Sequence, residues 1–215
     1  MGATAAEARS RIRQDGTFAV HAAAGEKIAA TIANVRVSHY EDTLSWRLLG
    51  PDMEVIREGR IAVDQSSDLW HTAKTEGIYY LEVAPKQGSA DVQFQNRSVA
   101  EIATPERPLE LFVSDITRSF FVPEGAKEFQ FVAQDGGPDE GARIAILSPD
   151  GRIALEADGN FNRSPHPVEV RPDEAGKVWT IRVEPRQDFS FWLSGDVMPY
   201  LSTSPERVLI RVRGE

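Results

Sequence analysis

Residues 77–83 read Gly-Ile-Tyr-Tyr-Leu-Glu-Val, and residues 177–183, one hundred positions later, read Lys-Val-Trp-Thr-Ile-Arg-Val. In both stretches every second side chain is large and apolar, namely Tyr79, Leu81, Val83, Trp179, Ile181 and Val183. Successive side chains of a strand point to opposite faces of a sheet, so this alternation predicts two strands that each bury one face.

These two stretches belong to a longer internal repeat. Three further segments recur in the same order about one hundred residues later: 48–52 at 146–150, 84–87 at 184–187, and 104–109 at 204–209. A period of this length indicates a duplicated domain rather than a solenoid. We therefore predict one domain over residues 1–103 and a second over residues 104–215.

Short alternating segments separated by turn residues predict the fold class. Residues 44–48, 144–146 and 189–193 alternate, and Gly-, Pro- and Asp-rich turns lie between such runs. This pattern predicts an all-β protein made of two tandem antiparallel β-sandwiches of the jelly-roll or immunoglobulin-like kind. Residues 3–11 alone suggest a helix. Residues 208–212 form an apolar run that either closes the second sandwich or opens a following domain.

Charge and composition exclude several partners. The 215-residue chain has a net charge of −9, which disfavours nucleic acid and anionic membrane surfaces. It has no cysteine, so disulfides and thiolate metal sites are excluded. No apolar run is long enough for a membrane span. Residues 1–13 show no apolar segment typical of a signal peptide, and from both ends of the sequence we expect a piece of a larger parent protein, from which such signals are missing.

Each copy resembles the bacterial pre-peptidase C-terminal (PPC) type of β-sandwich, and carbohydrate-binding modules more generally. The residues that carry the resemblance are 77–83, reading Gly-x-Tyr-x-Leu-x-Val, the turn at 49–52 and the early turn at 24–26. The second copy departs from the pattern, because Trp179 replaces Tyr and its spacing from Gly176 is one residue longer. The resemblance implies a non-catalytic accessory module of a secreted or surface bacterial protein, which binds carbohydrate, protein or calcium.

Aromatic side chains on the outward phase of strands or in loops are the candidate ligand contacts. They are Tyr40, Trp70, Tyr80 and Trp192, and His71 adjoins Trp70. An exposed aromatic ring matches the apolar face of a sugar ring. The alternative is that these side chains cover a sheet or pack between the two domains. The strand phase places Trp46, Tyr79 and Trp179 in the core instead.

An acidic, glycine-rich loop is the candidate metal site. Asp135, Asp139 and Glu140 surround Gly136 and Gly137, and calcium prefers several oxygen ligands. Acidic turns are also common simply because they are solvated. No other cofactor is predicted, since the four histidines lack the spacing of a zinc motif.

No catalytic motif is present in the sequence. It contains neither a Gly-x-Ser-x-Gly nucleophile turn nor a phosphate-binding loop. We therefore predict a non-enzyme that binds polysaccharide. The alternatives are a structural spacer or protein-interaction module that orients a neighbouring domain, and a hydrolase with a dispersed site.

Overall fold

A computed structural model describes residues 8–96 and 99–210. Over these residues the chain consists of β-strands and one short 3-10 helix, Pro205–Arg207, with no α-helix. The strands form four antiparallel sheets, which confirms the all-β fold class. No helix in this part of the chain is long and apolar enough to span a bilayer.

The strands follow one another through short turns. The first eight are β1 Ala8–Arg13, β2 Gly16–Ala22, β3 Lys27–Val35, β4 Leu44–Leu49, β5 Val55–Ile61, β6 Ser66–Thr72, β7 Gly77–Ala84 and β8 Ser89–Phe94. The remainder are β9 Val99–Ile102, β10 Leu109–Phe112, β11 Ile116–Val122, β12 Glu128–Asp135, β13 Ala142–Leu147, β14 Ile153–Gly159, β15 Asn162–Glu169, β16 Lys177–Pro185, β17 Asp188–Gly195 and β18 Tyr200–Leu201.

The chain divides into two compact units. Unit 1 comprises Met1–Asp15 and Ala19–Val99, and unit 2 comprises Gly16–Phe18 and Ala100–Glu215. The domain boundary at residue 103 stays a prediction.

The two units share one strand order. Unit 1 contains the sheet β1-β8-β3-β6 and the sheet strands β2-β7-β4-β5, where β2 contributes from Ala19 onward. Unit 2 contains β10-β17-β12-β15 and β11-β16-β13-β14, which are the same orders with each strand replaced by its counterpart. The repeat in the sequence therefore corresponds to a repeat in topology.

Each unit buries the side chains that alternate inward. In unit 1 the alternating strands bury Ile28, Ile32, Leu44, Leu48, Tyr79, Leu81 and Val92. In unit 2 the counterparts include Phe120, Phe129, Phe131, Ile144, Ile146, Trp179 and Phe191. The predicted core positions Trp46, Tyr79 and Trp179 are confirmed, at 7%, 1% and 0% exposed. Burial of such side chains is the main stabilising contribution in a sandwich.

The buried aromatic side chain of the repeated motif, Tyr79 in unit 1 and Trp179 in unit 2, donates a hydrogen bond to the segment that precedes its strand. The Tyr79 hydroxyl donates a 2.8 Å hydrogen bond to the carbonyl of Thr75. The Trp179 Nε1 donates a 3.1 Å hydrogen bond to the carbonyl of Glu174. A buried Tyr or Trp requires such a partner for its polar atom. The tryptophan that replaces this tyrosine in the second copy therefore keeps both the buried packing and the hydrogen bond.

The turn between β4 and β5 is held by its own backbone and by Asp52. Gly50 N–H donates to the carbonyl of Glu54 at 2.9 Å, and Glu54 N–H donates to the Asp52 carboxylate at 3.2 Å. Met53 has a φ of 65°, in the left-handed region that side chains with a Cβ rarely adopt. The turn ends one strand and starts the next within five residues, 50–54.

The turn between β13 and β14 has the same geometry. Ser148 N–H donates to the carbonyl of Arg152 at 2.9 Å, and Arg152 N–H donates to the Asp150 carboxylate at 3.2 Å. The Ser148 hydroxyl also donates to Asp150, and this hydrogen bond lowers the pKa of Asp150. The left-handed position is Gly151, with a φ of 86°.

The structure differs from the sequence prediction near both ends of the chain. Residues 8–13 form strand β1 rather than part of a helix, because Ser10 and Ile12 alternate into the core of unit 1. Residues 208–210 form no strand, and residues 211 and 212 of the predicted apolar run lie outside the described residues.

One edge of unit 2 carries two prolines. Strand β15 is the last strand of its sheet, and its Pro165 and Pro167 lie opposite Val132 and Gln130 of β12. Proline is tolerated in sheets mainly at edge strands, since it has no N–H to donate.

Candidate ligand-binding surfaces

Trp70 lies on the outer face of β6, which is an edge strand of its sheet in unit 1. Strand β6 alternates, so Leu69 is 2% exposed in the core while Trp70 is 57% exposed on the opposite side. Other large apolar side chains of the described residues are exposed to a similar degree, among them Val113 at 58% and Ile153 at 54%, but Trp70 presents the largest ring of this group. The predicted exposure of Trp70 is confirmed.

Polar side chains surround Trp70 on the same sheet face. The register places Trp70 beside Ala29, and places Asp68, Thr31 and Gln93 in one row across β6, β3 and β8. The Thr31 hydroxyl donates a 2.7 Å hydrogen bond to Asp68. Neighbouring side chains on such a face are about 5 Å apart across strands and about 7 Å apart along them. We call this surface the Trp70 face, defined by Thr31, Asp68, Trp70 and Gln93.

Two cations contact the Trp70 ring. The Nζ of Lys27 lies 5.9 Å from the ring centroid, and the guanidinium carbon of Arg57 lies 5.5 Å from it. Arg57 also donates a 2.5 Å hydrogen bond to the Trp70 carbonyl. Cation–π contacts of this kind are attractive, so they restrict the orientation of the ring before any ligand arrives.

His71 does not share the Trp70 face. It is half-buried on the inward phase of β6, with its ring centroid 6.0 Å from that of Tyr79. Burial lowers the pKa of His71, and the positive charges of Lys74 and Arg57 lower it further. The imidazole is therefore held in its neutral form more strongly than in an isolated histidine.

Tyr80 and Tyr40 are each separate from Trp70. Tyr80 is half-buried on the outer side of β7, which belongs to the other sheet of unit 1. Tyr40 is half-buried in the loop between β3 and β4, with its ring centroid 4.5 Å from that of His39. The structure does not bring the predicted aromatics of unit 1 into one site.

The predicted exposure of Trp192 is wrong. Trp192 in unit 2 is only 6% exposed, although its strand phase points it outward. The guanidinium of Arg163 lies 5.3 Å from the centroid of its ring, and the register places Val132 beside it on β12. The outer side of the sheet is covered at this point, which strand phase alone does not reveal.

The three acidic residues of the predicted calcium site lie in one loop of unit 2 and have different surroundings. Asp135 uses Oδ2 to accept a 2.6 Å hydrogen bond from the N–H of Phe161, and Asp139 sits in a left-handed turn with a φ of 65°. Glu140 lies where a side chain at Gly136 would project. Within residues 8–96 and 99–210, no three acidic, histidine or cysteine side chains are grouped to hold a metal ion.

A cleft opens beside this loop in unit 2, with a volume of about 580 Å³. Its lining residues are Gln134, Asp135, Gly137, Pro138, Asn160, Phe161, Asn162 and Arg163. The sequence pattern gave no reason to group Gln134, Asn160 and Asn162, so the amide side chains of this cleft were not predicted. We call it the unit 2 cleft.

No protein-family model and no curated protein matches this chain. The chain is similar to the CBM22-1-CBM22-2 tandem domain of a Paenibacillus barcinonensis protein, with 6% identity, 90% of this chain and 80% of that chain covered, and a TM-score of 0.20. A Parabacteroides distasonis protein that is presumed to be secreted has 9% identity, covers 95% and 85%, and has a TM-score of 0.21. At such TM-scores the similarity carries no weight in the functional argument.

Proposed function

We propose that this chain is a non-catalytic accessory module of a secreted or surface bacterial protein, and that it binds polysaccharide on the Trp70 face. The observation that carries the proposal is the 57% exposure of Trp70 on a sheet face that also carries Thr31, Asp68 and Gln93. A polysaccharide chain is extended and offers repeated apolar ring faces and hydroxyl groups. A sheet face with one aromatic ring and a row of polar side chains is suited to both.

The polar row supplies the hydroxyl contacts in this proposal. Thr31 can donate and accept, the Asp68 carboxylate accepts, and the Gln93 amide does both. These three side chains lie in one line across three strands, next to the aromatic position. A ligand that stacks on Trp70 therefore has hydrogen-bonding groups within reach of its neighbouring sugar units.

The contacts of Lys27 and Arg57 with the Trp70 ring favour binding, because they order the ring before a ligand arrives. A side chain that is already ordered loses less conformational entropy when a ligand binds. The contacts from Lys27 and Arg57 occupy part of the ring surface, while more than half of the side chain remains exposed for a sugar.

Retention on insoluble polysaccharides tests the proposal. The wild-type chain is incubated with cellulose, xylan and chitin, and the bound fraction is measured against protein concentration. We expect retention on at least one polymer, and we expect Trp70→Ala to weaken it about ten-fold or more. Tyr80→Ala is the matched control, because it removes a half-buried aromatic from the other sheet and should leave retention unchanged.

Two outcomes contradict the proposal. One is wild-type protein that is retained on none of the polymers, and the other is a Trp70→Ala variant that binds as well as wild type. Circular dichroism of each variant confirms that loss of binding is not loss of folding.

A structural or protein-interaction role is the alternative function. The observation that favours it is the pairing of Trp70 with Arg57, since tryptophan and arginine are enriched at protein interface hot spots. In this case a neighbouring domain of the parent protein covers Trp70. Acrylamide quenching, compared between wild type and Trp70→Phe with and without that domain, distinguishes the two functions.

A further inference from the structure

The unit 2 cleft is formed where a β-bulge interrupts an edge of the sheet. Val132 pairs with Pro165, but Gln134 pairs with Asn162, so Arg163 and Ser164 together lie opposite one residue of β12. Arg163 has a φ of 60°, a left-handed conformation that is uncommon for a residue with a side chain. Bulges and left-handed non-glycine residues are concentrated next to functional sites.

A buried carboxylate oxygen lines the cleft without a partner. The Oδ2 atom of Asp135 accepts a hydrogen bond from the N–H of Phe161, which fixes the orientation of the carboxylate. Its Oδ1 atom is buried and receives no hydrogen bond from the described part of the chain. Buried acceptors are normally satisfied, and because this one is out of contact with solvent, a donor from outside the chain reaches it only when the side chains that cover it move.

The remaining side chains of the cleft match a neutral hydroxylated ligand. Gln134, Asn160 and Asn162 are exposed, and each amide offers both donors and an acceptor. Sugar hydroxyl groups also donate and accept. The acidic residues Asp135 and Glu140 beside the cleft disfavour an anionic ligand, since a like charge at short range is repulsive.

The arginine of the cleft is already engaged. The guanidinium of Arg163 stacks over the buried Trp192 ring, which makes it less available as a site for phosphate or carboxylate. A metal ion is also disfavoured, because no three potential ligands are grouped among the described residues.

We propose that the unit 2 cleft is a second binding site, and that it takes a short neutral saccharide or the end of a neutral glycan chain. Asp135 Oδ1 accepts a hydrogen bond from one sugar hydroxyl once the side chains that cover it move aside, and the three exposed amides contact the neighbouring hydroxyls. A cleft encloses a chain end or a short sugar, whereas the Trp70 face of unit 1 suits the middle of a chain. The inference uses residues of unit 2 alone, so it does not require the Trp70 face to bind.

NMR titration of the whole chain with cellobiose, maltose and lactose tests this site. We expect saturable shifts of the backbone and side-chain amides of Gln134, Asn160 and Asn162 with at least one of the three sugars. In Asp135→Asn an N–H₂ donor replaces the unsatisfied acceptor, so we expect affinity to fall at least about ten-fold. Asp158→Asn is the matched control, because Asp158 is an exposed carboxylate paired with Arg186 and does not line the cleft.

A stability measurement separates ligand binding from a structural role. Asp135→Asn keeps an oxygen for the N–H of Phe161, so the unliganded variant should unfold at an unchanged or higher temperature. If Asp135→Asn does not fold, Asn162→Ala takes its place, with the same expected loss of affinity.

The proposal is overturned if none of the three sugars causes saturable shifts, or if the shifts persist at full affinity in Asp135→Asn and Asn162→Ala. Trp70→Ala distinguishes this site from the Trp70 face. That variant should lose retention on polysaccharide while its unit 2 cleft still binds the disaccharide.

Discussion

In unit 1 the ring of Pro51 packs against the backbone at Gly77, whereas in unit 2 the corresponding turn is joined to its sheet by an ion pair. A Cβ at Gly77 would lie 2.8 Å from Cγ of Pro51, so the two motif segments are in close contact. In unit 2 Arg152 donates to both carboxylate oxygens of Glu174, at 2.9 and 2.7 Å. The same turn is thus fixed by apolar packing in one copy and by charge in the other.

The outer faces of the two units differ even more. The register places Trp70 beside Ala29 in unit 1, and places Glu169 beside Glu128 in unit 2. Two carboxylates at directly opposite positions repel one another and leave no aromatic surface. Duplication therefore preserved the strand order and the core aromatic, while the outward positions of each copy diverged. Function has to be assigned to each unit separately.

The largest expected effect comes from removing the ion pair that holds the turn of unit 2, which the turn of unit 1 does not have among the described residues. Glu174 is 4% exposed as a side chain, and it also accepts a 3.0 Å hydrogen bond from the N–H of Arg171. Glu174→Ala leaves Arg152 without its partner, so we expect unit 2 to lose about 3 kcal/mol of unfolding free energy. Hydrogen exchange measured on peptides from each unit should show the loss in unit 2 alone.

The same pair predicts a pH effect of known sign. The hydrogen bond from Arg152 lowers the pKa of Glu174 below that of an unfolded glutamate, about 4.3. Its contribution is therefore complete above that pH and is lost as the pH falls through the lower, folded-state value. Glu174→Gln, which does not titrate, should be less acid-sensitive than wild type. Equal acid sensitivity of the two proteins would contradict the assignment.

A smaller effect is expected from the apolar contact of unit 1. Gly77→Ala places a methyl group against Pro51 at a φ of 158°, so overpacking and backbone strain together cost about 1–2 kcal/mol. Chemical denaturation measures the change, and Pro51→Ala completes a double-mutant cycle. We expect the double variant to be more stable than the sum of the single effects, because it removes the closer contact, with Cγ of Pro51, although the contact with Cβ remains. Additive effects would mean that the two residues do not interact.

The smallest effect compares the left-handed positions of the two turns. Met53 has a φ of 65° and Gly151 a φ of 86°, so only unit 2 has the residue that suits this conformation. We expect Met53→Gly to stabilise unit 1 by about 0.5 kcal/mol, since relief of strain exceeds the added entropy of the unfolded chain. Gly151→Met should destabilise unit 2 by a similar amount. Thermal unfolding measures both, and a destabilised Met53→Gly would contradict the expectation.

Strand periodicity predicted most of the fold, because burial in a sandwich follows the alternation of side chains. It correctly predicted the core positions of Trp46, Tyr79 and Trp179, and the exposure of Trp70. It gave the wrong result for Trp192, since the covering residue, Arg163, lies on another strand and reaches the ring through a bulge. Alternation along one strand contains no information about what covers its outer side.

The candidate sites were less predictable than the fold. The amides of the unit 2 cleft lie on β12 and around the start of β15, and they converge because of an irregular register. No feature of the sequence near Asn160 or Asn162 signals that convergence. The acidic loop was visible in the sequence, but the orientation of its Asp135 carboxylate is fixed by the N–H of Phe161, which lies far from it in the sequence. Composition indicates which groups are present, and the backbone geometry determines which of them meet.

The prolines of strand β15 have a consequence for self-association. A free sheet edge normally offers a row of N–H and carbonyl groups to which a strand of another molecule can add. Pro165 and Pro167 remove two of the N–H donors of β15, so a strand from a second chain cannot continue the hydrogen-bond ladder there. This edge is thereby protected from fibril-like stacking even when the protein is concentrated on a surface.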